Sequence, residues 1–310
     1  MLFEQNIGDC ADDAMPIVPP SRSVARAPAA QHNRKGDDNN LLHGIPHPEP
    51  TLHTPGMIEE LLYDIRDGIG HIVLNRPHAR NALTFAMYER LAEIAADPGE
   101  ARVLILTGAG DKAFAAGTDI AQFRAFSSAE DAIGYEAKLD RVLGALERCA
   151  VPTIAAVAGA CTGGGAGIAA ACDLRIAATN ARFGFPIART LGNCLSMANI
   201  VRLAALIGSA RVVDMIFTAR LLNAQDAQAV GLVSEVLPDA EALATRAVEL
   251  AKLVASHAPL TLRATKEAIR RLRDNLPPDE DLIRLCYTSA DFKEGMEAFL
   301  TKRPPVWRGQ

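Results

Sequence analysis

Val157-Ala158-Gly159-Ala160-Cys161-Thr162-Gly163-Gly164-Gly165-Ala166-Gly167 is the stretch on which the reading of the fold turns. It completes a short apolar run, Thr153-Ile154-Ala155-Ala156-Val157, that reads as a strand buried on both faces. It then opens an Ala-rich run that reads as a helix. Glycines at such a junction let the backbone approach a ligand closely, and helix N-terminal N–H groups point at negative charge. A dinucleotide fingerprint begins at Gly165 and Gly167, but Ala170 stands where its last glycine belongs. A Walker phosphate loop needs a lysine that this stretch lacks. Close helix–strand packing through small residues explains the glycines equally well, so spacing alone leaves packing and ligand binding both open.

A second cluster lies upstream. Ala113-Phe114-Ala115-Ala116-Gly117-Thr118-Asp119-Ile120 follows the apolar run Val103-Leu104-Ile105-Leu106 and precedes a helix that Asp119 can start. Leu61–Ile65 and His71–Leu74 read as two strands joined by a turn at Asp67-Gly68. Thr84 reads as the cap of a helix with Met87, Leu91 and Ile94 on one face, and residues 128–148 read as a second helix. Leu174–Ala177 is a further strand. Beyond residue 196 nearly everything reads helical apart from Val233–Val236. Strands alternating with helices, followed by a helical tail, give an α/β core with an appended helical part.

The bulk numbers bound the function. The 310 residues carry a net charge of −5, against a phosphate-tracking nucleic-acid surface. No apolar run approaches bilayer length, and no basic start leads an apolar stretch, so neither a membrane nor a secretory signal is expected. The six cysteines are scattered without a C-x-x-C pair, which predicts reduced thiols and a cytoplasmic protein. Residues 1–56 hold eight of the 18 prolines and four of the seven histidines, without helical or strand period. Such a segment is expected to be a disordered extension. His43, His47 and His53 within it lack a Cys or carboxylate partner at ligand spacing, so no metal site is assigned.

Five blocks, taken in order, carry a resemblance. They are Asn75-Arg76-Pro77-His78-Ala79-Arg80-Asn81-Ala82-Leu83, then Phe114–Ile120, then Val157–Gly165 with Ala171-Cys172-Asp173-Leu174. Phe217-Thr218-Ala219-Arg220 with Ala224, Ala227 and Gly231-Leu232-Val233 follows, and Phe292–Arg303 closes the set. Together they resemble the crotonase (enoyl-CoA hydratase/isomerase) superfamily from about Leu62 to the C-terminus. The resemblance implies a core of repeated ββα turns over 57–258 and a helical assembly region over 259–310. It also implies an acyl-CoA thioester as substrate, no cofactor beyond that coenzyme A, and a homotrimer or hexamer.

By that resemblance, the backbone N–H groups of Thr118 and Gly164 form an oxyanion hole for a thioester carbonyl. Ala115 and Ala116 lie against the CoA adenine, Lys302 meets a CoA phosphate with Phe299 nearby, and His78 stands where many members have a lysine. The family's hydratases hold their water with two glutamates, and here those positions are Gly167 and Ile187, neither of which transfers a proton. The loop after Ile187 offers Arg189 and Cys194 as ionisable groups, with Asn193 and Ser196 able to position water. Tyr135, Glu136 and Asp140 on the preceding helix are alternative donors, with an ordinary role as solvated helix-face residues competing. The expected function is therefore an enoyl-CoA hydratase/isomerase relative with altered acid–base equipment. A decarboxylase in which Arg189 holds an anionic acyl group, a thioester hydrolase and an acyl-CoA-binding protein without turnover are the alternatives.

Overall fold

The computed structural model describes residues 59–257, 259–271, 280, 284 and 287–306; the segment 1–56 lies outside them. The chain opens with β1 (Leu61–Arg66) and β2 (Ile69–Leu74), a 3-10 turn at Pro77–Ala79, α1 (Phe85–Ala96), β3 (Val103–Gly108) and β4 (Ala113–Ala115). A 3-10 helix (Ile120–Ala125), α2 (Ala129–Arg148), β5 (Thr153–Val157), β6 (Ala160–Thr162), α3 (Gly164–Ala171), β7 (Leu174–Ala178) and β8 (Arg182–Gly184) follow. Then come α4 (Ile187–Thr190), α5 (Met197–Ile207), α6 (Ser209–Phe217), β9 (Leu222–Asn223), α7 (Ala224–Ala229) and β10 (Glu235–Leu237). The last described helices are α8 (Ala240–Ala255), α9 (Pro259–Arg271) and α10 (Ala290–Leu300).

The strands form two sheets. One runs β1-β2-β3-β5-β7-β10, antiparallel between β1 and β2 and parallel thereafter. The other runs β4-β6-β8-β9, parallel except at β9. After β1 and β2, which both join the first sheet, three successive turns (β3-β4, β5-β6 and β7-β8) each place one strand in each sheet before the next helix, the ββα repeat that the resemblance implies.

Val103 to Leu106 are all buried, as a continuous apolar run between two layers requires. One face of this sheet meets α8 through Leu243, Ala247, Ala251 and Val254, a helical spacing of apolar residues. The other face packs on the cluster holding Leu91 of α1, Leu143 and Leu146 of α2, and Ile168 of α3. Ser128 caps α2 in a reciprocal capping box with Asp131, so α2 starts where the sequence predicts.

The second sheet was not legible in advance. Both glycine clusters contain a three-residue strand, β4 and β6, paired in parallel through Ala113 with Ala160 and Ala115 with Cys161. Three residues carry no readable period, and these strands hold through one another rather than through local preference. Asp173 fastens the helical tail to the core: its Oδ2 accepts from Thr153 N–H (2.8 Å), Thr153 Oγ1 (2.9 Å) and Lys266 Nζ of α9 (2.7 Å).

Candidate active site

Both glycine clusters open on the same side of the second sheet, around a cavity of about 590 Å³. Arg76 and Asn81 brace the first cluster from behind. Arg76 Nη1 pairs with Asp119 (3.0 Å), and Asn81 Nδ2 donates to the carbonyls of Ala113 (2.7 Å) and Ala109 (3.0 Å). Leu83 N–H donates to Gly117 C=O and accepts, through its own carbonyl, from Asp119 N–H. In a parallel bridge of that kind the intervening residue, Thr118, turns its own N–H away from Leu83, and Thr118 is one of the residues that line the cavity.

The second donor comes from the start of α3. Gly163 takes φ 52° and ψ −123°, a conformation favouring glycine, and turns the chain from β6 into the helix. The first intrahelical bond runs from Gly167 N–H to Gly163 C=O, which leaves the Gly164 N–H as a first-turn donor. Thr118 and Gly164 both line the cavity; where fixed backbone N–H groups meet developing negative charge, each is worth about 3–4 kcal/mol.

Behind these donors runs a chain of hydroxyls. Thr118 Oγ1 lies 2.9 Å from the Tyr88 hydroxyl and 2.8 Å from that of Tyr135. With one proton and two lone pairs, it donates to at most one of them and accepts from at least one. Burial pushes both phenols up from their ordinary pKa, with the Glu136 charge adding to it, so both keep their protons.

Part of the cavity wall belongs to α2. Tyr135, Glu136, Leu139 and Leu143 line it, one helical face. Glu136 is 2% exposed and Tyr135 7%, which corrects the solvated helix-face reading of both. The pattern misleads because α2 is flanked by packed elements on that face, including Tyr287 just before α10. The Tyr287 hydroxyl donates to Glu136 Oε1, and Asn193 Nδ2 donates to the Tyr287 oxygen at 3.2 Å. Burial first, and the Glu136 charge second, hold the Tyr287 phenol well above its usual pKa.

The remaining predicted residues divide by position. Gly167, Ile187, Asn193, Ala116 and Phe299 line the cavity with Thr118 and Gly164, so this wall carries no ionisable side chain at positions 167 and 187. Ala115 is buried in β4 behind the wall. His78, Arg189 and Lys302 are exposed and outside the cavity wall, and Cys194 is half-buried outside it. Asp140 accepts from Ser196 Oγ (2.7 Å), outside the cavity wall; Asn199, which does line the cavity, joins Ser196 to the Arg202–Glu147 ion pair. Tyr88, Tyr287 and Asn199 were missed from the sequence; the first two are aromatic residues on apolar faces, indistinguishable there from ordinary core. Among the described residues no cluster could hold a metal ion, and no helix is long and apolar enough to cross a membrane.

The sequence profile of the enoyl-CoA hydratase/isomerase family matches residues 64–310. The chain belongs to that family. This crotonase is 36% identical over 255 residues to a probable enoyl-CoA hydratase of Mycobacterium bovis, covering 80% of this chain and 97% of the relative. It is 36% identical over 241 residues to a short-chain-enoyl-CoA hydratase of Clostridium acetobutylicum, covering 75% and 91%. Its fold is similar to a solved methylmalonyl-CoA decarboxylase in complex with 2-nitronate-propionyl-CoA, with a TM-score of 0.74, 29% identity, and coverage of 82% of this crotonase and all of that chain (100%). The expected family and α/β fold are thereby established, and with them a crotonase-type enzyme of acyl-CoA thioesters.

Proposed function

We propose that the thioester carbonyl of an acyl-CoA lies between the N–H groups of Thr118 and Gly164, and that the enzyme stabilises the enolate formed there. What supports this reading is that Thr118 and Gly164 line one cavity, Gly164 from the first turn of α3. The acyl chain then runs along Leu139, Leu143 and Ile187, an apolar channel suited to a neutral acyl group.

The reaction is not standard hydration. By the resemblance, Gly167 and Ile187 stand for the paired glutamates of the family's hydratases, and positioned acid–base groups contribute about 10²–10⁴-fold. Enolate chemistry served by a single proton-transferring group, as in a double-bond shift, fits better. Decarboxylation is the second reading, supported by the likeness to the methylmalonyl-CoA decarboxylase. Two observations weigh against it: Arg189 lies outside the cavity wall, and buried Glu136 would repel an anionic acyl group. The helical region over 259–310 is the proposed assembly region, for a trimer or hexamer readable by light scattering.

The test is a substrate panel: crotonyl-CoA, a 3-enoyl-CoA and methylmalonyl-CoA, each assayed for binding and for product. Binding of acyl-CoA with slow hydration and measurable isomerisation supports the proposal. Fast hydration of crotonyl-CoA, or failure to bind any of the three, overturns it.

A further inference from the structure

Glu136 has the attributes of a reacting group rather than of a packing residue. A carboxylate is among the side chains least often buried without a purpose. This one is almost wholly buried yet lines the same cavity as Thr118 and Gly164. Its neighbour Tyr135 bonds Thr118, which ties this part of α2 to the donor wall. Asp119 also lines the cavity, but it is committed to Arg76 and caps the 3-10 helix through Ala121 N–H. Position 136 is neither of the two positions where the family's hydratases carry their acids.

The group is also aimed. Tyr287 has one proton, and it goes to Glu136, so Asn193 must present its NH₂ to the Tyr287 oxygen. The bonds therefore run in one direction, Asn193 to Tyr287 to Glu136. The three residues come from the loop before α5, the lead into α10 and α2, so folding of the whole chain assembles them. Donors fixed in this way hold one carboxylate rotamer at the cavity that Glu136 lines.

We propose that Glu136 is the catalytic base that takes the α-proton of the bound thioester, with Tyr287 and Asn193 as positioning residues. This rests on the acyl-CoA reading above. In the step, the Cα–H bond breaks and its electron pair forms the C=C of the enolate. The carbonyl π pair moves onto the oxygen held by Thr118 and Gly164, and the proton goes to the Glu136 carboxylate. Return of that proton to Cα gives exchange without net change; its delivery to Cγ of an enoyl-CoA shifts the double bond and regenerates the carboxylate. No second acid, water or oxidant is consumed.

The experiment follows α-proton exchange of butyryl-CoA in D₂O by NMR with the full chain, alongside butyryl-CoA binding by calorimetry and thermal melting. Wild type is expected to bind and exchange. E136Q, which keeps size and can still accept from Tyr287, is expected to bind within about threefold and to exchange about 10²–10⁴-fold more slowly. Y287F is expected to lower the exchange rate about tenfold with binding unchanged, a rate effect that a packing role does not give. Should E136Q fail to fold, E136D retains the charge but draws it back by one methylene, and the same loss of exchange with retained binding is expected. Exchange by a folded E136Q or E136D at the wild-type rate overturns the inference. Binding without exchange by wild type also overturns it while leaving the acyl-CoA reading standing; absence of binding by wild type overturns both.

Discussion

The hydroxyl of Tyr88 occupies the space where a side chain on Gly164 would begin: a Cβ built on Gly164 would lie 1.9 Å from that oxygen and 3.1 Å from Thr118 Oγ1. Tyr88 is fully buried, so it cannot swing aside. The glycine beside the donor N–H is thus demanded by a phenol from α1, not by backbone conformation.

Gly164→Ala is accordingly expected to cost about 1–3 kcal/mol of stability through overpacking. Tyr88→Phe removes the clashing oxygen, leaving the Tyr88 Cζ position at 3.2 Å from the new Cβ. In that background G164A should cost measurably less. Urea denaturation of the four proteins in this cycle reads the coupling, and additive effects would contradict the relationship.

Thr118→Val keeps the backbone N–H and removes the hydroxyl that links Tyr88 and Tyr135. Two buried phenols then lose a partner, at an expected cost of about 1–3 kcal/mol. Acyl-CoA affinity should change little, because the proposed donor is main-chain. A large loss of affinity with unchanged melting would assign the ligand contact to the hydroxyl instead.

Restoring both acids by Gly167→Glu with Ile187→Glu should raise crotonyl-CoA hydration while lowering the melting temperature. A Cβ on Gly167 meets Leu143 Cδ1 at 3.3 Å and Asn199 Oδ1 at 3.8 Å, so a side chain enters with a small displacement of one leucine. Ile187 is buried, and a carboxylate there lacks a built partner. Turnover and melting measured together test this; hydration no faster than wild type in a folded double variant would count against the assigned positions.

Alkaline pH should destabilise the fold. Burial raises the Cys172 thiol to about 12 and holds the Cys161 thiol, and the phenols of Tyr88, Tyr135 and Tyr287, above their ordinary values. The unfolded chain releases thiol protons near pH about 8.5 and phenol protons near about 10. Their contribution is therefore fully present below about pH 8 and is lost as pH rises toward the folded values. Urea midpoints across that range should fall, and a flat profile would refute the assignment.

The sequence by itself determined the family and most strands of the first sheet. Apolar runs such as Val103–Leu106 and Thr153–Val157 are short-range signals, and so are the capping residues Thr84 and Ser128 and the two glycine clusters. Each needs only neighbours along the chain to be read. Only the tertiary structure decided the second sheet and the far wall of the cavity. The three-residue strands β4 and β6 exist through pairing between segments far apart in sequence. Glu136 looks like any surface carboxylate on an amphipathic helix until Tyr287, 151 residues later, packs over it and donates to it. Burial of a single charge depends on what covers it, and what covers it here arrives from the other end of the fold.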